Sequence, residues 1–297
     1  MRRLGETSTR WLACVGVAGL IVMASGGTAV ASPPICTGSQ QSPGVLAGTY
    51  NSNVIVEGAC AVDGGRAVVR GNLVLKPGSI LLAAFALNHR TGVGPSSLRV
   101  NGNISVQSGA TLVIGCDPQS SPCADDPALK MPEEPPTLSS RSRVFGNLTS
   151  RGARSVIAHN DQINGNLTQT GGGGGVTCEP EGQEAFSAYE DSTVNGNVNV
   201  AGLESCWLGL ARLHVRGNVR LSNNNLADPD AIEILANKIS GNLVCRNNSM
   251  VWNSAEEHFG PLFPRVALPN KVSGHRGGQC VLASPTTEGG PLGPGPF

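Results

Sequence analysis

The sequence predicts an all-β fold, a single-domain parallel β-helix in which short strands stack coil upon coil. Three observations carry this prediction: a short motif recurs along the chain, its flanks alternate apolar and polar residues, and several intervals between copies are close to 20 residues. Such intervals suit one coil of a solenoid. We expect the right-handed form. A pair of β-sandwich domains is the alternative, which one regularly spaced motif disfavours.

The repeated motif is Gly-Asn followed by an aliphatic residue. A β-branched aliphatic residue stands two positions before each glycine, and a degenerate eighth copy ends at Gly274. Positions two before and two after the glycine are apolar, whereas those one and three before it are mostly polar, which is the signature of a half-buried strand. The glycines of the seven full copies are Gly71, Gly102, Gly146, Gly165, Gly196, Gly217 and Gly241.

Both residues of the dipeptide suggest a structural role. Glycine permits positive φ, so we expect it at a bend between two walls of a coil. Asparagine tolerates the same region and carries an amide that both donates and accepts hydrogen bonds. Stacked in successive coils, these amides are expected to form a ladder, as in other in-register parallel stacks.

The intervals between motif glycines range from 19 to 44 residues, so the longer ones are interpreted as coils with insertions. The 44-residue interval holds the Pro- and acid-rich stretch 125–136, and another holds the glycine run 171–175. Stretches of this kind belong in loops that leave the wall. One segment, 230–237, has the pattern of a short helical turn capped by Asp230.

The N-terminal residues 1–31 are predicted to be a secretory signal peptide. Three arginines precede an apolar run over 11–24, and Ala29-Val30-Ala31 has the small-x-small pattern of a cleavage site. The run is shorter than the roughly 20 residues of a membrane span, although an uncleaved anchor is the alternative. Cys14 lies at the start of the run, where a lipid-attachment cysteine would not stand. We therefore predict a secreted protein, extracellular or associated with the cell wall, with no membrane span after cleavage.

The remaining chain is divided into a lead-in over 32–43, the β-helix over 44–282 and a disordered Pro- and Gly-rich tail over 283–297. Its charge is nearly balanced. The full chain has 21 basic and 21 acidic residues, and removal of 1–31 takes away three arginines and one glutamate. No basic excess remains to bind nucleic acid.

Eight cysteines lie outside the signal peptide, and an even number in an exported chain predicts disulfides. A metal site is disfavoured because no two cysteines have C-x2-C spacing and histidine is scarce. No cofactor motif is present. Many pairings are possible, and the local character of the insertions favours neighbours: Cys36–Cys60, Cys116–Cys123, Cys178–Cys206 and Cys245–Cys280.

The V-x-G-N-[LIV] coils and the ending from Gly241-Asn242-Leu243-Val244-Cys245 to Gly278-Gln279-Cys280 resemble exported bacterial β-helix proteins, related in repeat style to the polymer-forming bactofilins. The resemblance covers about residues 44–282. It implies a solenoid architecture and no particular activity.

Catalytic motifs are scarce. There is no G-x-S-x-G, P-loop or strand–G-x-G-x-x-G–helix pattern. The carboxylate couple that neighbouring coils could bring together is Asp161 with Asp191. A polysaccharide-active lyase or hydrolase using this couple is the alternative to a non-catalytic protein.

One outward column is notable for its charge. Five of the eight residues three positions before the repeat glycines are basic or can become so. Equal offsets in a solenoid stack at about 4.8 Å, so these residues predict a cationic stripe, which we expect the insertion to break between Arg99 and Arg143. Basic residues that merely confer solubility are the ordinary alternative. The five are Arg99, Arg143, His214, Lys238 and Lys271.

The sequence therefore predicts a non-catalytic structural or binding protein of the cell envelope or its surroundings. An anionic cell-wall polymer or acidic glycan is the predicted partner of the stripe. We expect a monomer closed at its C-terminal end, and end-to-end assembly remains an alternative.

Overall fold

The computed structural model describes residues 32–116, 123, 125, 138–180, 185–229, 231–254, 256–257 and 266–284. The expected signal peptide and almost all of the expected tail lie outside these residues. The described part of the chain contains strands and turns but no helix, and its strands form the parallel β-helix that the sequence predicts. Each coil passes through three parallel sheets, here called A, B and C, in that order.

Sheet A has ten strands and follows the Gly-Asn turn of each coil. They are β1 (Ile35–Cys36), β4 (Val54–Val56), β7 (Leu73–Leu75), β10 (Ile104–Val106), β13 (Leu148–Arg151), β16 (Leu167–Thr170), β19 (Val198–Ala201), β23 (Val219–Ser222), β27 (Leu243–Arg246) and β32 (Arg276–Gly278).

Sheet B has nine strands. They are β2 (Gly44–Val45), β5 (Ala59–Ala61), β8 (Ile80–Ala83), β11 (Thr111–Gly115), β14 (Ser155–His159), β17 (Phe186–Glu190), β21 (Trp207–Ala211), β25 (Ile232–Leu235) and β28 (Val251–Asn253).

Sheet C also has nine strands and precedes the Gly-Asn turn. They are β3 (Gly48–Tyr50), β6 (Arg66–Val69), β9 (Ser97–Val100), β12 (Arg143–Val144), β15 (Gln162–Ile163), β18 (Thr193–Val194), β22 (His214–Val215), β26 (Lys238–Ile239) and β31 (Lys271–Val272). Two further strand pairs lie outside the walls: β20 (Glu204–Ser205) with β24 (Asn225–Leu226), and β29 (Glu256–Glu257) with β30 (Val266–Ala267).

The structure differs from the sequence-based expectations at two places in the chain. Strand β1 of the expected lead-in pairs with β4, so the coil stack begins at Ile35. The segment expected to form a helical turn instead contains strand β25, because Ile232 and Ile234 alternate into the solenoid core with a period of two.

The core is a set of aliphatic columns inside the solenoid. The residue two positions after each repeat glycine is at most 1% exposed and pairs in register with its counterpart in the next coil. Each such side chain contributes roughly 1.5–3 kcal/mol through burial. This column comprises Leu73, Ile104, Leu148, Leu167, Val198, Val219 and Leu243.

The repeat glycines have a different role from the one expected. None of the seven has φ in the left-handed region, so the expectation of positive φ at these positions is wrong. They are required by close approach instead: a Cβ on Gly146 would lie 2.4 Å from Asn103 Oδ1 and 2.7 Å from the Gly102 carbonyl oxygen. The other repeat glycines meet equivalent contacts, so any side chain there would push neighbouring coils apart.

The expected asparagine ladder is present. The backbone N–H of Asn72 donates to Asn53 Oδ1 at 2.8 Å, and its Nδ2 donates to the same oxygen at 3.2 Å. This backbone contact recurs from coil to coil and ends where His275 N–H donates to Asn242 Oδ1 at 2.7 Å. The intervening members are Asn103, Asn147, Asn166, Asn197 and Asn218.

Four disulfides link the cysteines as neighbours along the chain, in the pairing that the insertions favour. They join Cys36 to Cys60, Cys116 to Cys123, Cys178 to Cys206 and Cys245 to Cys280. Such bonds are typical of an oxidising compartment.

Candidate functional site

The basic column of sheet C stacks in unbroken register. Arg99 pairs with Arg143 across the 44-residue interval, so the expected break between them is wrong. The insertion leaves the wall after β11, and the chain returns to sheet C at β12 without a shift in register. The pairing continues through Gln162, Thr193, His214, Lys238 and Lys271. At about 4.8 Å per coil, the column spans roughly 29 Å.

Short strands orient this column toward solvent. In the seven strands from β9 to β31 that carry the column, the residue after the column position is a β-branched aliphatic: Val144, Val215 and Ile239 are at most 1% exposed and point into the core. Since successive side chains of a strand point to opposite faces, Arg143, His214 and Lys238 lie on the outer face, where all three are exposed.

In the N-terminal half of the column, here Arg99, Arg143 and Gln162, the side chains of Arg99 and Gln162 are engaged with their own surroundings. Arg99 Nε donates to Asn101 Oδ1 at 2.9 Å, and the guanidinium carbon lies 4.5 Å from the centroid of the Phe145 ring, a cation–π contact. Gln162 Nε2 donates to Asn164 Oδ1 at 3.1 Å. These contacts occupy donors that a ligand would otherwise use.

The C-terminal half of the column consists of Thr193, His214, Lys238 and Lys271, and the first three of these line an open groove of about 320 Å³. Six residues line the groove: Thr193, His214, Val215, Arg216, Lys238 and Ser240. Among the residues that the structure describes, none is a hydrogen-bond or ion-pair partner for the five polar side chains of the lining. The lining contains no carboxylate, so the groove is cationic.

Sequence reasoning missed two members of this groove. Arg216 and Ser240 lie two residues beyond His214 and Lys238, on the same outer face. The period-two alternation contained this signal, because the position one before the repeat glycine is also outward and is polar in six of the seven full copies. Reading only one outward position per strand hid the second row of donors.

The suggested catalytic carboxylate Asp161 is a structural residue of the wall. Only 5% of Asp161 is exposed, and its Oδ1 accepts the backbone N–H of Ser142 at 2.8 Å. Burial raises its pKa well above the ordinary value, against the opposing effect of the Ser142 hydrogen bond. Two later coils use Asn237 and Asn270 in the same way, each accepting a backbone N–H at 2.8 Å. Asp161 therefore occupies a position in a second, buried ladder.

The suggested partner of Asp161, Asp191, forms an ion pair with an arginine. Arg212 Nε and Nη2 donate to the two carboxylate oxygens of Asp191 at 2.7 and 2.8 Å. Among the described residues, no hydrogen bond or ion pair joins Asp161 to Asp191. The two carboxylates are therefore not brought together as a catalytic couple.

A buried polar cluster extends from this arginine. Arg212 Nη2 also donates to Glu190 Oε2 at 3.0 Å, and Glu190 Oε1 lies 3.7 Å from His159 Nε2. The side chains of His159 and Glu190 are both fully buried. Desolvation lowers the pKa of His159 to about 3, so the imidazole is neutral at physiological pH. Because solvent does not reach these two side chains, the cluster presents no open site.

A second histidine fixes an insertion to the wall. His89 Nε2 lies 2.5 Å from Asp125 Oδ1, and His89 Nδ1 lies 3.7 Å from Asp63 Oδ2. The hydrogen bond with Asp125 raises the pKa of His89. Asp125 Oδ2 also accepts the Leu87 N–H at 2.7 Å, so the carboxylate contacts two residues of the 84–96 loop. Sequence analysis placed Asp125 in a loop that leaves the wall and did not foresee this contact.

Possible metal ligands come together near one disulfide. Sulfur atoms of Cys178 and Cys206 lie within 4.8 Å of a carboxylate oxygen of Asp228. The two sulfurs are bonded to each other, which removes the thiolates that a metal would require.

The comparisons give no relative from which to transfer a function: no family model, curated protein or solved structure matches the chain. Within the part of the chain that the structure describes, no helix has the length and apolar character needed to cross a membrane.

Proposed function

We propose that the protein is a secreted, non-catalytic binding protein of the cell envelope or its surroundings, and that sheet C holds an anionic wall polymer or acidic glycan. The observation that supports this proposal is the continuous register of the column from Arg99 to Lys271. A linear array of cations matches the geometry of a linear polyanion.

Charge energetics support the same partner. Arg99 stacks directly on Arg143, and Lys238 directly on Lys271. Like charges directly opposite each other on neighbouring strands are destabilising. Among the described residues, no carboxylate forms an ion pair with any of these four side chains. A polyanion lying along the column would remove this repulsion and release its own counterions, as in other polyelectrolyte complexes.

The location rests on two features. The four disulfides fit an oxidising compartment, and the N-terminal pattern of residues 1–31 is that of a signal peptide. Both support secretion, and an anionic polymer of the envelope is a partner available there.

The test compares two triple variants with equal charge loss. R143Q/K238Q/K271Q removes three cations from sheet C. R151Q/R220Q/R246Q removes three exposed cations from the outer face of sheet A. Retention on an immobilised anionic wall polymer at low salt is expected to fall about tenfold or more for the first variant and little for the second. Equal retention by both variants, or none by the wild type, would contradict the proposal.

The alternative of a polysaccharide-active enzyme gains no support from the contacts. Asp161 is used by the wall and Asp191 by Arg212. No observation in the described residues favours a second candidate function.

A further inference from the structure

We infer that the groove of the C-terminal half is a subsite for a phosphodiester, and that the polymer held by sheet C is therefore a phosphate-bearing one rather than a polyuronate. This inference rests on the proposed function and names the class of its ligand. The observation behind it is the arrangement of hydrogen-bond donors in the groove. The proposed function rests instead on the length of the column.

The groove offers five donor side chains in two rows. Thr193, His214 and Lys238 stack in three successive coils of sheet C. Arg216 and Ser240 form the second row, two residues along the chain from His214 and Lys238. Val215 lies between the rows and points inward, with only 1% of its surface exposed. The groove therefore has a donor row on each side of a buried aliphatic residue.

The five donor side chains come from two rows and three successive coils, so they do not form one planar fork. A carboxylate has two oxygens in a plane and is best matched by a single planar fork of donors. A phosphodiester presents oxygens in a tetrahedral arrangement, which can accept from both rows. Arg216 supplies a guanidinium and Lys238 an ammonium, and both are common partners of phosphate. The hydroxyls of Thr193 and Ser240 and an imidazole N–H of His214 complete the set.

The groove is large enough to hold more than a bare ion. At about 320 Å³, the groove lies at the small end of the roughly 300–1,000 Å³ typical of small-molecule sites. A phosphate group would leave room for part of an attached polyol or sugar. Beyond the groove, Lys271 continues the column by one coil, which places another cation where the next unit of a polymer would lie.

The donors are also available. In the part of the chain that the structure describes, none of the five has a partner that a ligand must displace. The same is not true of Arg99 and Gln162 in the N-terminal half, whose donors are engaged. The groove is thus the section of the column in which charge, concavity and unengaged donors coincide.

Calorimetric titration of the exported, disulfide-bonded protein tests the inference. Three probes are used: glycerophosphoglycerol, a phosphodiester with one negative charge; gluconate, a carboxylate with one negative charge; and inorganic phosphate. The diester is expected to bind at least fivefold more tightly than gluconate. Losing two charge-assisted contacts in R216Q/K238Q should weaken diester binding about tenfold or more. The matched variant R99Q/R143Q should change it less than twofold.

The outcomes separate this inference from the proposed function. Equal affinity for diester and gluconate, or an equal loss in both variants, would overturn the phosphodiester subsite. Binding of inorganic phosphate without the diester would assign the groove to a free anion and overturn it also. If the wild type is retained on a wall polymer but R216Q/K238Q is retained equally, the subsite fails and the proposed function stands. If the diester binds in the groove but no polymer is retained, the proposed function fails.

Discussion

The two halves of the sheet C column differ in how their outward side chains are engaged, although coils of the same design build both. In the N-terminal half, Arg99 is held between Asn101 and the ring of Phe145. In the C-terminal half, His214 and Lys238 border a groove together with Arg216. The glycine and asparagine of the motif are the same from Gly102-Asn103 to Gly241-Asn242, so the difference lies in the outward residues.

A column of charged side chains is therefore not in itself a binding site. The scaffold places a side chain every 4.8 Å or so, and whether that side chain is available depends on its neighbours one position along the strand or one coil away. A phenylalanine beside the column engages one arginine. An arginine and a serine at the corresponding positions further along create a concave, polar lining.

The largest expected effect comes from breaking the scaffold beneath the C-terminal half. A Cβ on Gly217 would lie 2.5 Å from the Gly196 carbonyl oxygen and 2.6 Å from Asn197 Oδ1. G217A should therefore force the coils apart and lower the free energy of unfolding by about 1–3 kcal/mol, as measured by denaturant unfolding.

G277A is the matched control for that variant. A Cβ on Gly277 would make ordinary contacts at 3.5 Å or more with Val244, and its φ is not in the left-handed region. We expect less than about 0.5 kcal/mol of change. If the two alanine variants are equally stable, close approach is not the reason for the repeat glycines.

The second effect concerns the buried ladder, which uses a carboxyl group at Asp161 and amides at Asn237 and Asn270. The pKa of Asp161 is raised above its ordinary 3.8, so the folded state binds the proton more tightly than the unfolded chain does. The stability contributed by protonation is fully present below pH 3.8 and is lost as the pH rises through the raised pKa. D161N keeps the acceptor for Ser142 without the charge, so it should be more stable than the wild type at pH 7 by on the order of 1–3 kcal/mol.

The reverse substitution, from an amide to a carboxyl group, tests the same pH dependence of stability. N237D introduces a carboxyl group at the corresponding position of the C-terminal half and should lose stability on going from pH 4 to pH 7. Thermal unfolding across this range measures both variants. A D161N protein with the same pH dependence as the wild type would show that folding does not raise the pKa of Asp161.

The smallest expected effect is a gain in affinity for the polymer. Phe145 is 41% exposed, so F145A should cost little stability while releasing the guanidinium of Arg99 for a ligand. A surface cation–π contact contributes roughly 0.5–1 kcal/mol, so polymer affinity should rise about two- to fivefold. The double variant R99Q/F145A should show no gain. A fall in affinity for F145A alone would mean that the aromatic ring itself contacts the polymer.

The sequence contained most of the fold but only part of the site. The Gly-Asn motif recurs in seven coils, so the alternation of Val144 inward and Arg143 outward could be read without coordinates. The register across the insertion could not, because nothing in the residues between Gly115 and Arg143 says where the chain returns to the wall. The groove required a second outward row, Arg216 and Ser240, whose closeness to His214 and Lys238 depends on how neighbouring coils stack.

The hydrogen bonds that engage Asp161 and Asp191 also could not be predicted from the sequence. Both residues follow strands of sheet B, but burial and hydrogen bonding decide their roles. Arg212 comes from the next coil, and its pairing with Asp191 follows from a stacking that no local pattern contains.

The most direct test of the central claim, that the C-terminal half of sheet C binds anionic polymer units, is a map of backbone amide chemical shifts during titration with glycerophosphoglycerol. We expect saturable changes at Thr193, His214, Arg216, Lys238 and Ser240, and much smaller changes at Arg99 and Arg143. Changes confined to another face of the solenoid, or an absence of saturable change at the groove, would contradict it.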